Sequence, residues 1–442
     1  MRTGAEALAH QVAARLRHAG YQAYLVGGCV RDLLLGAAPK DFDISTDAPP
    51  ERILELFPGS GQVGAHFGVV LVRDGGPEGR AHVEVATFRS DHDYADGRRP
   101  SRVEFENDPR QDVLRRDFTI NGLMMDPESG EVLDFVGGRE DLETRVVRAI
   151  GDAEVRFRED HLRMLRAVRF AARLGFRIEA ETMAAIRRNH AAILKVSAER
   201  VRDELVRILT EGGARHGFQL LDAAGLLSDL LPEVASMKGV EQPPEFHPEG
   251  DVWVHTLLLL DRLGRATPTL AWGALLHDVG KPPTFRVAER IRFDGHVEEG
   301  VRLAHGILNR LRFSREDEEQ IEALVANHMR FKDVERMKES TLKRFLRMPK
   351  FEEHLELHRL DCLASHGRLD NYEFVRRKLE ELPAEKLKPK PLLTGKDLIE
   401  AGYEPGPAFK KMLAAVEDAQ LEGRIGSKAE ALELVKEEME WR

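Results

Sequence analysis

Residues 24–47 read YLVGGCVRDLLLGAAPKDFDISTD. Tyr24-Leu25-Val26 is a short apolar run halted by Gly27-Gly28, the pattern of a buried strand feeding a tight turn. A helical pattern follows from Arg31-Asp32, with apolar Val30, Leu33, Leu34 and Leu35, and Gly36 closes it. Then comes Asp41-Phe42-Asp43-Ile44. Alternate side chains of a strand share a face, so Asp41 and Asp43 point together while Phe42 and Ile44 enter a core. Two carboxylates on one face repel unless a cation sits between them. Mg²⁺ suits the place, because it takes oxygen ligands from one or two carboxylates plus substrate phosphates. The glycines, Gly28 included, would bring backbone N–H groups to those phosphates, and Arg31 would add a charged fork. A lone D-x-D is usually a solvated strand end; the G-G-x-V-R-D upstream is what shifts the balance.

Joined in this order, G-G-x-V-R-D and D-x-D resemble the signature of the class II tRNA nucleotidyltransferases and their bacterial poly(A) polymerase relatives. A second stretch, Leu114-Arg115-Arg116-Asp117-Phe118-Thr119-Ile120-Asn121-Gly122, reads as an element whose start faces phosphate or ribose. It is similar to the family's R-R-D-F-T-x-N motif, associated with choosing ribose over deoxyribose. The resemblance thus implies substrate roles for Arg116, Asp117 and Asn121. Glu84 offers a third carboxylate or a solvent-facing strand residue, with nothing to separate the two. The polar stretch Ser90–Arg102 has no periodicity and reads as a mobile loop. A loop here is usual in family members that add A or the whole CCA. Gly75-Gly76-Pro77 reads as a strand turn.

From Glu159 the chain reads EDHLRMLRAVRFAARLGF. Asp160, Arg163, Arg166 and Arg169, spaced by three, predict one slowly precessing stripe on a helix. A carboxylate accepts from the amino group of C or A, and a guanidinium donates to the ring atom beside it. Asp160 and Arg163 would therefore imitate a complementary base, with Arg166 and Arg169 on the triphosphate. The plain alternative is an i,i+3 ion pair of a few tenths of a kcal/mol. In the resembling family E-D-x-x-R is the protein template for base selection.

Beyond Pro232 the order His255, His277-Asp278, His296, His328, Asp361 suits imidazole and carboxylate ligands gathered from several helices. His277-Asp278 near Gly280-Lys281 resembles the HD phosphohydrolases, which use bound metal to activate water against phosphate esters. A divalent transition metal is the expected occupant. His247, His305, His354, His358 and His366 receive no role.

Composition fits this picture. Hydrophobic residues make up 42% and charged residues 32% of 442. No apolar run approaches a membrane span, and the N-terminal stretch lacks a secretory h-region, so a cytoplasmic location is expected. Two distant cysteines, Cys29 and Cys362, exclude a disulfide framework. The net charge of −10 speaks weakly against nucleic acid, yet Arg156 to Arg215 holds 14 Lys/Arg against 8 Asp/Glu, as an RNA-facing surface would.

The expected fold is α+β. A polymerase-β-like nucleotidyltransferase head of small mixed sheet plus helices spans 1–150. A helical neck with the base-selecting helix spans 151–235, an HD domain 236–380, and a helical RNA-binding tail 381–442. The resemblance implies addition of the 3′-terminal CCA of tRNA from CTP and ATP, with possible HD phosphohydrolase activity and no obligate protein partner. Three rivals stand. One is poly(A) polymerase, disfavoured because Val63–Gly68 lacks that branch's arginines. Another is a partial enzyme adding only A or only CC. The third is a metallophosphohydrolase whose head merely docks RNA.

Overall fold

The computed structural model describes residues 4–62, 68–73, 81–94, 100–245 and 247–440. Both the Val63–Phe67 stretch and the Gly75-Gly76-Pro77 turn lie outside them. Two compact units emerge, Met1–Ala235 and Ser236–Arg442.

The first unit is built on a mixed sheet. Its strands are β1 (Ala23–Val26), β2 (Asp43–Thr46), β3 (Gly61–Gln62), β4 (Val69–Arg73) and β5 (His82–Thr87). The hairpin of β6 (Arg89–Tyr94) and β7 (Pro100–Phe105) pairs separately, and β8 (Leu123–Met125) and β9 (Val132–Asp134) complete the sheet. The order is β3-β4-β5-β2-β1-β8-β9, with β2 and β5 parallel and the remaining neighbours antiparallel. Alternation works as expected at β2: Phe42 and Ile44 are buried, Asp41 is exposed and Asp43 half-buried. Asp41 itself sits just ahead of the strand. Ser90–Arg102, expected as a loop, instead contributes to both strands of the β6–β7 hairpin. Polar residues on both strands erase the period-2 signal that marks a half-buried strand.

Register places the chemistry. Asp43 lies opposite Val26 on one side and Glu84 on the other. Val26 leads directly into Gly27, whose φ of +72° suits glycine, and the helix Gly28–Leu34. A Cβ on Gly27 would meet Arg116 Nη1 at 3.2 Å, so the turn also admits that guanidinium.

The second unit is almost entirely helical. Its tail helices Gly395–Glu400, Pro407–Leu421 and Lys428–Glu440 share a small core of Leu393, Leu398, Met412, Val416, Ala431 and Val435. Thr394 and Asp397 form a capping box at the first of them.

Candidate nucleotide site and metal centre

Asp43 sits beside two like charges, Glu84 across the strand pair and Asp41 two residues back. Burial and those charges push its carboxyl up to about 6, against the pull of Arg116. Like charges opposed across strands destabilise a sheet unless a cation joins them. An all-oxygen donor set of this kind fits a hard divalent ion.

Asp43 opens into a cavity of about 660 Å³, large enough for a nucleotide. Gly28, Arg31, Arg116, Asp117, Asn121, Asp160, Arg163 and Arg166 all line it. Its cations are already engaged. Arg31 Nη1 donates to Asn121 Oδ1 at 2.6 Å, and its Nη2 to Asp32 Oδ1 at 2.7 Å. Arg116 Nη2 donates to Asp112 Oδ2 at 2.9 Å and Ser45 Oγ at 3.1 Å, leaving its buried Nε without a partner. Burial would raise the Asp117 carboxyl, but Arg166 and Asn121 hold it down to about 2.

The base-reading stretch differs from the single helix expected. One helix ends at Glu159 and the next runs Arg163–Leu174; Asp160 lies between them, extended at φ −146°. Its Oδ1 accepts from Leu162 N at 3.1 Å, and its Oδ2 from Arg200 Nη2 at 2.7 Å. Arg163 donates to Glu159 Oε2 at 2.6 Å. Arg166, expected on the triphosphate, instead grips Asp117 Oδ2 through Nε at 2.8 Å and Nη2 at 2.6 Å. Arg169 is a clearer correction. It does not line the cavity, is 5% exposed, and donates from Nε to Glu204 Oε2 at 2.6 Å. A three-residue step on a helix falls about 60° short of a full turn. Two such steps beyond Arg163 carry Arg169 into the interior.

Arg115 of the Arg-Arg-Asp run lines the cavity too, as does Arg200, which was not singled out from sequence. Arg200 does belong to the basic Arg156–Arg215 segment, the only sequence signal that pointed to it.

In the second unit all six expected ligands converge. His255 Nε2 lies 3.3 Å from His277 Nε2 and 3.2 Å from Asp361 Oδ1. Asp278 divides its oxygens: Oδ2 is 3.2 Å from His277 Nε2, and Oδ1 is 3.7 Å from His328 Nε2. Asp278, His296 and His328 bring donor atoms within 4.8 Å of one another, as do His255, His277 and Asp361. Each histidine is aimed by its other nitrogen. Nδ1 of His277, His296 and His328 faces the carbonyls of Ala274, Phe293 and Val325 at 2.9, 2.9 and 2.7 Å. A carbonyl only accepts, so Nδ1 carries the proton and Nε2 offers its lone pair inward. The buried Nε2 atoms of His296 and His328 have no hydrogen-bond partner. Burial holds His328 down to about 4, in the neutral form a metal needs. His255 goes the other way: against burial, Asp361 and Glu249 raise it to about 9. This mixed nitrogen and oxygen set fits a divalent transition metal.

Glu249 was missed. Its Oε1 accepts from His255 Nδ1 at 2.7 Å and from His247 Nδ1 at 2.8 Å, giving His247 a role as well. The His247-Pro248-Glu249 spacing was the available signal.

Comparison with known proteins bears on both sites. A poly A polymerase head domain matches residues 23–148, a probable RNA and SrmB-binding site of polymerase A matches 175–238, and an HD domain matches 251–365. The CCA-adding enzyme of Lactobacillus helveticus is 43% identical over 251 residues, 55% of this chain and 61% of that protein. That of Geobacillus thermodenitrificans is 45% identical over 221 residues, 50% and 53%. The solved Bacillus stearothermophilus CCA-adding enzyme in complex with CTP superposes with a TM-score of 0.76 at 28% identity, covering 99% of this chain and 98% of that one.

The chain carries a poly A polymerase head, a polymerase A RNA-binding region and an HD domain, and it is similar to CCA-adding enzymes in sequence and in fold. It spans 53–61% of the length of these two curated relatives. Asp41, Asp43, Arg116, Asp117 and Asn121 fall in the head match, and all six histidine-cluster residues in the HD match. Asp160 to Arg169 lie between the first two matches. Both matched domain types imply dependence on divalent metal ions. Among the described residues no helix is long and apolar enough to cross a membrane.

Proposed function

We propose that this chain adds or repairs the 3′-terminal CCA of tRNA, without a nucleic-acid template, from CTP and ATP. The observation that carries the reading is that Asp160 and Arg163 line the same cavity as Asp43. Asp41 and Asp43 would hold Mg²⁺, which neutralises the triphosphate and activates the 3′-hydroxyl when bound. Gly28, Arg31 and Arg116 steady phosphates. Asp117, locked by Arg166 and Asn121, presents its carboxylate to the ribose. Asp160 and Arg163 read C or A, and G and U are rejected because each has a carbonyl oxygen where C and A have the amino group, with a protonated ring nitrogen beside it. Arg166 acts through Asp117, and Arg169 has no part in substrate contact.

The division we propose is head 1–150, neck 151–235, HD domain 236–380 and RNA-binding tail 381–442, in a cytoplasmic protein. The similarity to a CTP-bound CCA-adding enzyme supports CTP as a substrate. The fold is shared with a Thermotoga maritima CCA-adding enzyme complexed with tRNA, at a TM-score of 0.59.

A second reading concerns the HD cluster. The partnerless Nε2 atoms of His296 and His328 favour a cluster in which they would hold a divalent metal, and that metal would supply activated water for phosphoester hydrolysis. We assign it a divalent transition metal and phosphohydrolase activity.

The test offers tRNA lacking CCA, CA or only A, each with CTP, ATP or both. Completed CCA that then terminates is expected. Long A tails on any RNA would identify a poly(A) polymerase, and addition of only A or only CC a partial enzyme.

A further inference from the structure

Between Asp278 and His296 the chain makes an exposed hairpin of β10 (Arg286–Val287) and β11 (Ile291–Arg292). Its register puts Arg286 directly opposite Arg292. Opposed residues share a face with Cβ atoms about 5 Å apart, and like charges there are destabilising. Neither arginine, nor Arg290 at the tip, has an ion-pair partner among the described residues. Glu289 at the tip and Asp294 past β11 are the acidic groups of the segment, and both are exposed without engaging them. The sheet therefore spends stability on holding two guanidiniums side by side, which is repaid when an anion lies across them.

The root of the hairpin rests on the metal centre. The Phe293 carbonyl holds His296 Nδ1 at 2.9 Å. The Phe293 ring lies 5.4 Å from Lys281 Nζ, and Lys281 in turn pairs with Asp278 Oδ2 at 2.7 Å. Phe285 packs 5.9 Å from Phe293, yet is 37% exposed, and Val287 is 70% exposed. Arginines on a backbone path beside an exposed aromatic face are the parts that grip single-stranded nucleic acid.

We propose that the hairpin Arg286–Arg292 docks the single-stranded 3′ end of an RNA and lays its terminal phosphoester at the Asp278 cluster. Arg286 and Arg292 straddle one phosphate, Arg290 meets the next, and Phe285 stacks a base. The hydrolytic outcome rests on the phosphohydrolase reading above; the docking itself does not. Three cations strung along a hairpin match a polyanion better than a free nucleotide.

The test uses the full chain with Mn²⁺, a short RNA bearing a 3′-phosphate and a terminal 4-thiouridine, and p-nitrophenyl phosphate as a small ester. Photocrosslinks to the head are expected; the peptide holding Phe285–Arg292 must appear among them. Arg286→Ala with Arg292→Ala is expected to remove that crosslink. It should also lower kcat/KM on the RNA relative to the small ester by about tenfold, with a shallower salt dependence. Crosslinks confined to other segments, or an unchanged RNA-to-ester ratio in a wild type that cleaves both, overturn the proposal. If the wild type cleaves neither, the phosphohydrolase reading fails alone, and the crosslink decides the docking.

Discussion

Asp160 reaches the cavity only because two neighbours hold its carboxylate there, the Leu162 amide and Arg200. Removing the guanidinium frees the side chain to turn away. Arg200→Ala is therefore expected to lower kcat/KM for both CTP and ATP by about tenfold and to raise GTP and UTP incorporation, while Arg200→Lys recovers part of the loss. Steady-state kinetics on truncated tRNA checks this. Arg169 makes the opposite case. It shares the three-residue spacing of Arg163 and Arg166, yet its partner is the buried Glu204. Arg169→Ala leaves that buried carboxylate with only Arg207, 4.0 Å away, and should cost about 3 kcal/mol of stability in denaturant unfolding, while KM for the triphosphate holds in whatever remains folded. Residue type and spacing made both visible in the sequence. What spacing could not convey was rotation around the helix and the identity of Glu204.

Strand and helix periods explain which elements were readable. Phe42 and Ile44 alternate with Asp41 and Asp43, so the face of β2 was legible before any coordinates. The break at Asp160 was hidden because an aspartate that caps Leu162 looks, in sequence, like a helix residue. The β6–β7 hairpin was hidden because polar residues on both strands carry no alternation. The helix Phe351–Ala364 adds a pH dependence. It buries His354 and His358, and burial pushes each down to about 4. An unfolded chain protonates these rings near the ordinary value of 6.5, whereas the folded chain resists until about 4. Between those limits the unfolded state binds more protons, so stability falls as pH drops. The loss from pH 7 to pH 5.5 is on the order of 1 kcal/mol per histidine. Thermal melts should show Tm falling across that range, and His354→Phe with His358→Phe should flatten the fall.

The chain as a whole holds two metal-fitted sites built from different chemistry, oxygen donors at Asp41 and Asp43, imidazoles and carboxylates around Asp278. They should be separable. Asp43→Asn is expected to abolish nucleotide addition and spare phosphoester hydrolysis; Asp278→Asn should do the reverse, with loss of transition-metal binding by calorimetry. Loss of both activities in either variant would mean that one site governs the other. Motif order made this two-site plan legible, since Gly-Gly, Arg-Arg-Asp, Glu-Asp and His-Asp each stand as short runs. Glu249 and the opposed arginines of the hairpin were not, because their meaning lies in pairing across segments. The central claim is that Asp160 and Arg163 stand in for a complementary base beside Asp43. Its most direct test offers tRNA lacking CCA to the Asp160→Ala, Arg163→Ala variant with each of the four nucleoside triphosphates in turn, and reads the products by length. Slow incorporation of all four is expected, with the preference for C and A gone; a variant that still chooses C and A over G and U would contradict the base-reading role of Asp160 and Arg163.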